Sequence, residues 1–229
     1  MLQHIKQVLM LFICLAALSC KSENDLVPIK DDLNSMSEGN SSTERPKLDV
    51  LLVLDNSCSM IEDWDYITYG LTQTPIELDH YGFDWKMAMI SMDPSDAIFV
   101  EVGHTTNPSD AGWQMIGLLS DFRLVAGEDE KAFSSAITAR TRYASWFREL
   151  ATTLIVFISD EKEQSGIDPA DFHSLWNYPH FVASIVGPES IPEGTTSCAE
   201  EAKDFHDASD IIVDICTNQP WSVIEPLTH

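Results

Sequence analysis

Val50 to Leu54 is an unbroken run of branched apolar residues. A strand needs such a run only when both of its faces are covered, so the run predicts a central strand of a largely parallel sheet. At its carboxyl end stands Asp55-x-Ser57-x-Ser59, one carboxylate and two hydroxyls on alternate residues of a tight loop. Oxygen donors at this density suit a hard divalent cation. A second run, Leu154 to Ile158, ends the same way, in Ser159-Asp160-Glu161.

These two stretches resemble the von Willebrand factor A domains, whose metal-ion-dependent adhesion site opens with Asp-x-Ser-x-Ser after a hydrophobic first strand. In that family the fourth strand ends in an Asp that supplies a second acidic corner of the site, the position held here by Asp160. The resemblance covers roughly residues 46–229. It implies a doubly wound, mostly parallel sheet with helices on both faces and one antiparallel edge strand. It also implies a site for Mg²⁺, Mn²⁺ or Ca²⁺ built from Asp55, Ser57, Ser59 and Asp160. A protein ligand offering an Asp or Glu carboxylate would complete the shell.

Animal members of the family add a Thr from the loop before a later helix, and no Thr lies there in this chain. Glu130, or less readily Glu128, takes its approximate place, and some bacterial relatives carry Glu in such a loop. If Glu130 binds, a third carboxylate would hold the cation more tightly and leave it less electrophilic. The alternative is that these acids only cap the helix that follows.

The chain begins with Lys6 ahead of an apolar run, Val8 to Leu18, that closes on Ala17-Leu18-Ser19-Cys20. The run is shorter than the roughly 20 residues a permanent span requires, so residues 1–19 read as a secretory signal peptide. A Cys after small residues resembles a bacterial lipoprotein cleavage site, with Cys20 as the lipidated first residue. An ordinary signal peptide cut nearby is the alternative. Residues 20–46 are mostly polar and aperiodic and read as a flexible tether. The remainder, 47–229, has the length of one domain, and a chain with 44% hydrophobic residues can fill a core.

Within that domain the apolar periodicity predicts a helix through Met60, Trp64, Ile67 and Leu71, with Trp64 in the core, and a second helical piece starting at Pro75. Strand two is expected over Lys86 to Met92, a turn at Asp93-Pro94-Ser95, and an antiparallel edge strand over Ile98 to Val102. A short helix around Trp113 to Leu119 and a long one from Lys131 to Leu150 follow. Asp168 to Asn177 opens with Asp-Pro as cap and first turn. Phe181 to Val186 and Ile211 to Val213 read as strands, and Cys198 to Ala208 as helical.

Five cysteines are present. With Cys14 in the signal and Cys20 lipidated, Cys58, Cys198 and Cys216 remain, and three pairings are open. Cys198 and Cys216 flank one helix and one strand and match a Cys pair in the bacterial relatives, which implies that they are joined. Cys58 stays free, where the family usually has Gly.

The formal net charge of −24 repels phosphate backbones and argues against a nucleic-acid partner. An enzyme of the haloacid-dehalogenase type would need a second Asp at Ser57. No phosphate loop, Gly-x-Ser-x-Gly or His-Glu-x-x-His occurs, and no His context identifies a base for a Cys58 nucleophile. The expected function is non-catalytic: a cation-dependent protein-binding module on an exported chain anchored by lipid in the bacterial envelope. A structural envelope lipoprotein with a vestigial site is the alternative. If Cys20 is the anchor, a bacterial host will incorporate radiolabelled fatty acid into the wild type and not into Cys20→Ser; persistent labelling of the variant refutes the anchor.

Overall fold

The computed structural model describes residues 45–94, 99–102, 108–122, 130–192, 197–217 and 224. The expected signal peptide, nearly all of the tether, Cys20 and Glu128 lie outside them, as do Ser95 and Ile98.

Six strands form one sheet: β1 (Lys47–Leu54), β2 (Asp84–Ser91), β3 (Phe99–Val102), β4 (Thr152–Ile158), β5 (His180–Val186) and β6 (Ile211–Asp214). Their spatial order is β3-β2-β1-β4-β5-β6, with β3 antiparallel at one edge and every other pairing parallel. The doubly wound fold with an antiparallel edge is therefore as the sequence predicts.

Alternation along β1 explains its uninterrupted apolar run. Val50, Leu52 and Leu54 face a core with Trp64, Ile67 and Leu71 of helix α1 (Trp64–His80) and with Ala111 and Leu119 of α2 (Pro108–Phe122). Leu51 and Val53 face the other layer. There they meet Phe133 and Ala136 of α3 (Ala132–Arg142), Phe172 and Trp176 of α4 (Pro169–Trp176), and Phe205 of α5 (Lys203–Ala208). A strand with helices on both sides has no polar face to show. Trp64 is a core residue, 2% exposed.

Helices α1, α2 and α3 differ from their predicted bounds, as does α5, described with the site below. α1 runs straight through Pro75 instead of restarting there, because Leu71, Pro75 and Leu78 are all buried. Burial of that stripe outweighs the backbone bond that proline cannot donate. α2 is longer than expected. α3 stops at Arg142 and gives way to a 3-10 turn at Ala144–Trp146, so the predicted helix to Leu150 does not form.

The cause of that stop is Asp49, wholly buried in β1. Its carboxylate accepts the Arg148 backbone N–H at 2.6 Å and Arg148 Nε at 2.7 Å. The same guanidinium donates to the carbonyls of Leu48 and Asp84 and pairs with the Asp84 carboxylate at 2.9 Å. A helix continuing past Arg142 would have to give up this set. The fold therefore places one partly buried ion pair, with the Asp49 end fully buried, at the amino end of the central strand, stapling the approach to β4 onto β1 and β2.

Removing one member of a buried pair strands the other's charge. Arg148→Ala should lower unfolding free energy by roughly 3–5 kcal/mol in urea denaturation, and Asp49→Leu combined with Arg148→Met should recover much of the loss. A single variant as stable as the wild type would show that the pair does not hold this end together.

Candidate metal site

The strand order places β1 beside β4 at the point where the winding reverses, where open α/β sheets leave a crevice at their carboxyl ends. Asp55 and Asp160 follow those two strands. The ladder continues into both loops, with Asp55 N–H donating to Ile158 O and Ser159 N–H to Ile185 O.

Asp55 organises the first loop. One carboxylate oxygen accepts the Ser57 backbone N–H at 2.8 Å and the other accepts Ser159 Oγ–H at 2.7 Å. Each oxygen keeps a lone pair for a cation or its water. The chain then enters a 3-10 turn, Ser59–Glu62, with Cys58 before it at φ −69°, ψ −23°. That is ordinary right-handed helical space, so Cys in place of Gly imposes no backbone strain here. Cys58 is exposed and free. Met60 is buried beneath, its sulfur accepting the Asp160 N–H at 3.2 Å.

The loop geometry brings the hydroxyls and the second carboxylate together. Ser57 Oγ and Ser59 Oγ lie 2.6 Å apart, and Ser59 Oγ is 3.0 Å from Asp160 Oδ1 and 3.3 Å from Glu161 Oε1. Neighbouring oxygens around an octahedral cation with bonds of 2.0–2.1 Å are about 2.9 Å apart. The donor set thus has both the chemistry and the spacing of a small divalent-cation shell. Its anionic character comes from few groups: among the described residues no three His, Cys, Asp or Glu side chains converge as a metal-holding cluster.

Glu130 is buried one step back. Its carboxylate accepts Gln164 Nε2–H at 2.7 Å, and Gln164 makes a longer contact of 3.5 Å to Glu161. It thus reaches the oxygen cluster through Gln164 and Glu161. Glu163 caps the start of α3: it accepts the Phe133 N–H at 3.1 Å, and its other oxygen accepts the backbone and hydroxyl of Ser165. Lys131, at the N-cap position, makes no side-chain cap. Ser159, Glu161, Gln164 and Glu163 are the residues that sequence reasoning passed over. Glu161 had one available signal, since it follows directly on the strand-end Asp.

A strap covers the far side of the site. Glu200 N–H donates to the Asp160 carbonyl at 2.8 Å, and Ala202 N–H to Pro188 O at 2.9 Å. These bonds draw the chain across the strand ends, so the predicted helix over Cys198 to Ala208 is confined to α5. Gly187 permits the crossing, because a Cβ there would lie 2.2 Å from the Glu200 carbonyl oxygen. The Cys198–Cys216 disulfide pins the strap to the end of β6, as the resemblance implied.

No protein-family model matches the sequence, and no curated protein matches it. Similarity is found among solved structures. The proximal thread matrix protein 1 of the mussel byssus aligns with TM-score 0.51 at 10% identity, covering 75% of this chain and 45% of that one. The same protein with a zinc-occupied MIDAS motif aligns with TM-score 0.51 over 80% of this chain. The pilus adhesin SpaC of Lactobacillus rhamnosus GG aligns with TM-score 0.50 at 10% identity, covering 82% of this chain and 29% of that one. The chain thus spans less than half the length of these proteins. At such identity the likeness concerns the fold, which is that of a von Willebrand factor A-like domain.

Burial, reinforced by the charge of Asp55, pushes the Asp160 pKa up to about 6 from its ordinary 3.8. Burial likewise raises Glu161 and Glu163. Between the unfolded and folded values of Asp160 the native state holds the extra proton, so stability falls as pH rises through that window. In cation-free buffer, raising the pH from 4 to 6.5 should cost the wild type on the order of 2 kcal/mol more than Asp160→Asn, which has no such proton to lose. Parallel pH profiles of the two proteins would refute the assignment.

Proposed function

We propose that this domain is a divalent-cation-dependent protein-binding module. The observation that carries the reading is the gathering of oxygens from Ser57, Asp160 and Glu161 around Ser59 Oγ, at 2.6, 3.0 and 3.3 Å from it, at the carboxyl ends of β1 and β4. Ser57, Ser59, Asp160 and Asp55, directly or through water, hold Mg²⁺, Mn²⁺ or Ca²⁺, and an Asp or Glu of the partner fills an open position. Because zinc occupies the MIDAS motif of the mussel protein, Zn²⁺ belongs among the ions to be tested.

The reading requires no catalysis. The strand-end Asp55 is engaged by Ser57 and Ser159 and has no neighbouring acid two residues on, so it is not set up as a phosphatase nucleophile. Glu130 supports the site through Gln164 and Glu161, or reaches the cation itself when one is bound. The resemblance to bacterial lipoprotein relatives, the signal-like leader and Cys20 support export and lipid anchoring in the bacterial envelope. The Cys198–Cys216 bridge accords with export, since such bonds persist in oxidising compartments. Among the described residues no helix is long and apolar enough to cross a membrane.

Bound cation relieves the repulsion between Asp55 and Asp160, so a cation at about a hundredfold excess over its dissociation constant should raise the melting temperature by roughly 5–10 °C. Asp55→Ala and Asp160→Ala should stay folded and lose this response. Weakened affinity in Glu130→Ala marks Glu130 as a ligand or direct support, whereas unchanged affinity removes it from the site. A wild type whose melting temperature ignores millimolar Mg²⁺, Mn²⁺, Ca²⁺ and Zn²⁺ would leave only the vestigial, structural reading.

A further inference from the structure

Asp160 is the first residue beyond the ladder at the end of β4. The last ladder bond runs from the Ser159 N–H to Ile185 O, and the next N–H, that of Asp160, meets the Met60 sulfur at 3.2 Å. Sulfur is a weak acceptor, so the strong main-chain tie of Asp160 is the 2.8 Å bond that its carbonyl accepts from the Glu200 N–H. The carboxylate that stands 3.0 Å from Ser59 Oγ is therefore held from behind by the strap.

The strap has little apolar surface to keep it in place. From 197 to 201 it reads Ser-Cys-Ala-Glu-Glu, with Ala199 its one aliphatic side chain. Ala199 is half-buried, and Glu200 pairs with exposed Lys162 at 3.7 Å. Burial of so small a side chain does not offset the entropy of ordering the segment. Two ties flank Glu200 instead. On one side the Ala202 N–H donates to Pro188 O at 2.9 Å, and on the other the Cys198–Cys216 bridge fastens the chain just past β6. β6 is paired with β5 as far as Val186↔Asp214, so the bridge transmits the position of the sheet to the strap. With the bridge cut, Glu200 is held from one side.

The bridge is open to attack. Cys198 is exposed and Cys216 half-buried, and exposed disulfides are the labile ones. A dithiol reduces such a bond in two steps. One thiolate attacks Cys198 Sγ, breaking the S–S bond and expelling the Cys216 thiolate, which takes up a proton. The second thiol of the reagent then attacks the mixed disulfide, freeing Cys198 as a thiol and leaving the reagent as a cyclic disulfide. Two electrons pass from reagent to protein. The Ser197 hydroxyl, 3.9 Å from Cys216 Sγ, is placed to donate to the departing thiolate.

We infer that the Cys198–Cys216 bridge sets the position of Asp160 through the strap, so that reduction by a dithiol switches the strand-end site from a tight to a weak cation-binding form. The inference rests on the cation-binding reading proposed above. Mg²⁺ demands near-ideal octahedral geometry, so a displaced carboxylate lowers its affinity.

The test titrates the full chain with MgCl₂, a hard ion that freed thiols do not bind, at a temperature where circular dichroism shows every form folded. Dithiothreitol, and the double substitution Cys198→Ser with Cys216→Ser, should each weaken Mg²⁺ binding by more than about tenfold. Gly187→Ala, which crowds the Glu200 carbonyl with the bridge intact, should do the same. Arg148→Ala, or Arg148→Lys where the alanine form does not fold, disturbs the far end of the sheet and should bind as the wild type does. Reduced protein that binds Mg²⁺ as tightly as oxidised protein, or an Arg148 variant that loses as much affinity, overturns the inference. Hydrogen exchange in cation-free buffer gives a second readout: reduction should speed exchange at the Glu200, Asp160 and Glu161 amides and leave the β1–β4 ladder unchanged. Exchange indifferent to reduction also overturns the inference, whereas accelerated exchange in a protein that binds no cation when oxidised faults the cation reading and upholds the coupling of bridge to Asp160.

Discussion

The parallel pairing of β1 with β4 is the constraint on which the rest of this domain depends. It is continuous from Leu48↔Thr152 to Leu54↔Ile158, and the next backbone bond, from Asp55 to Ile158, carries it into the loop. Register in a parallel sheet fixes which side chains share a level. A slip of one residue would move Asp160 relative to Ser59 by about 3.3 Å, more than the 3.0 Å that separates their oxygens. At the other end Arg148 bridges Asp49 and Asp84, tying the same register to β2.

The oxygen cluster also carries an electrostatic cost. Asp160 is 8% exposed and Asp55 2%, and burial is the larger part of what makes the Asp160 charge unfavourable. The chain supplies hydroxyls and a backbone amide around these groups, and among the described residues no cationic side chain is hydrogen-bonded to either carboxylate. Elsewhere the same chain neutralises buried Asp49 with an arginine. The contrast is physically informative: one buried carboxylate is given a permanent partner, and two others are left to share hydroxyls in a strand-end crevice.

What the sequence disclosed follows from the range of the interactions involved. β1 and β4 were legible because a strand covered on both faces leaves an uninterrupted apolar run, and Asp55 and Asp160 were legible because they end those runs. The end of α3 was not. Arg142 to Leu150 has residues a helix accepts, and what stops it is Asp49, 99 positions away. Glu163 gave no local sign of being the cap of α3, because its partner Phe133 is 30 positions distant. Pro75 gave a sign that burial overrode. His173 and His180 stand on a helix and a strand, so no single periodicity relates them, and only the left-handed turn at Asn177 brings them together.

The direction of β1 has a mechanical consequence. Residue 45 enters at its amino end and the oxygen cluster sits at its carboxyl end, so in a domain tethered upstream and bound at this cluster, as proposed, tension would run along the backbone of this one strand. That strand is already extended and cannot lengthen much. For it to leave the sheet, its ladders with β2 and β4, each spanning its length, would be sheared together instead of opening one bond at a time. The strand that presents the site is thereby also the part of the domain best placed to carry a load.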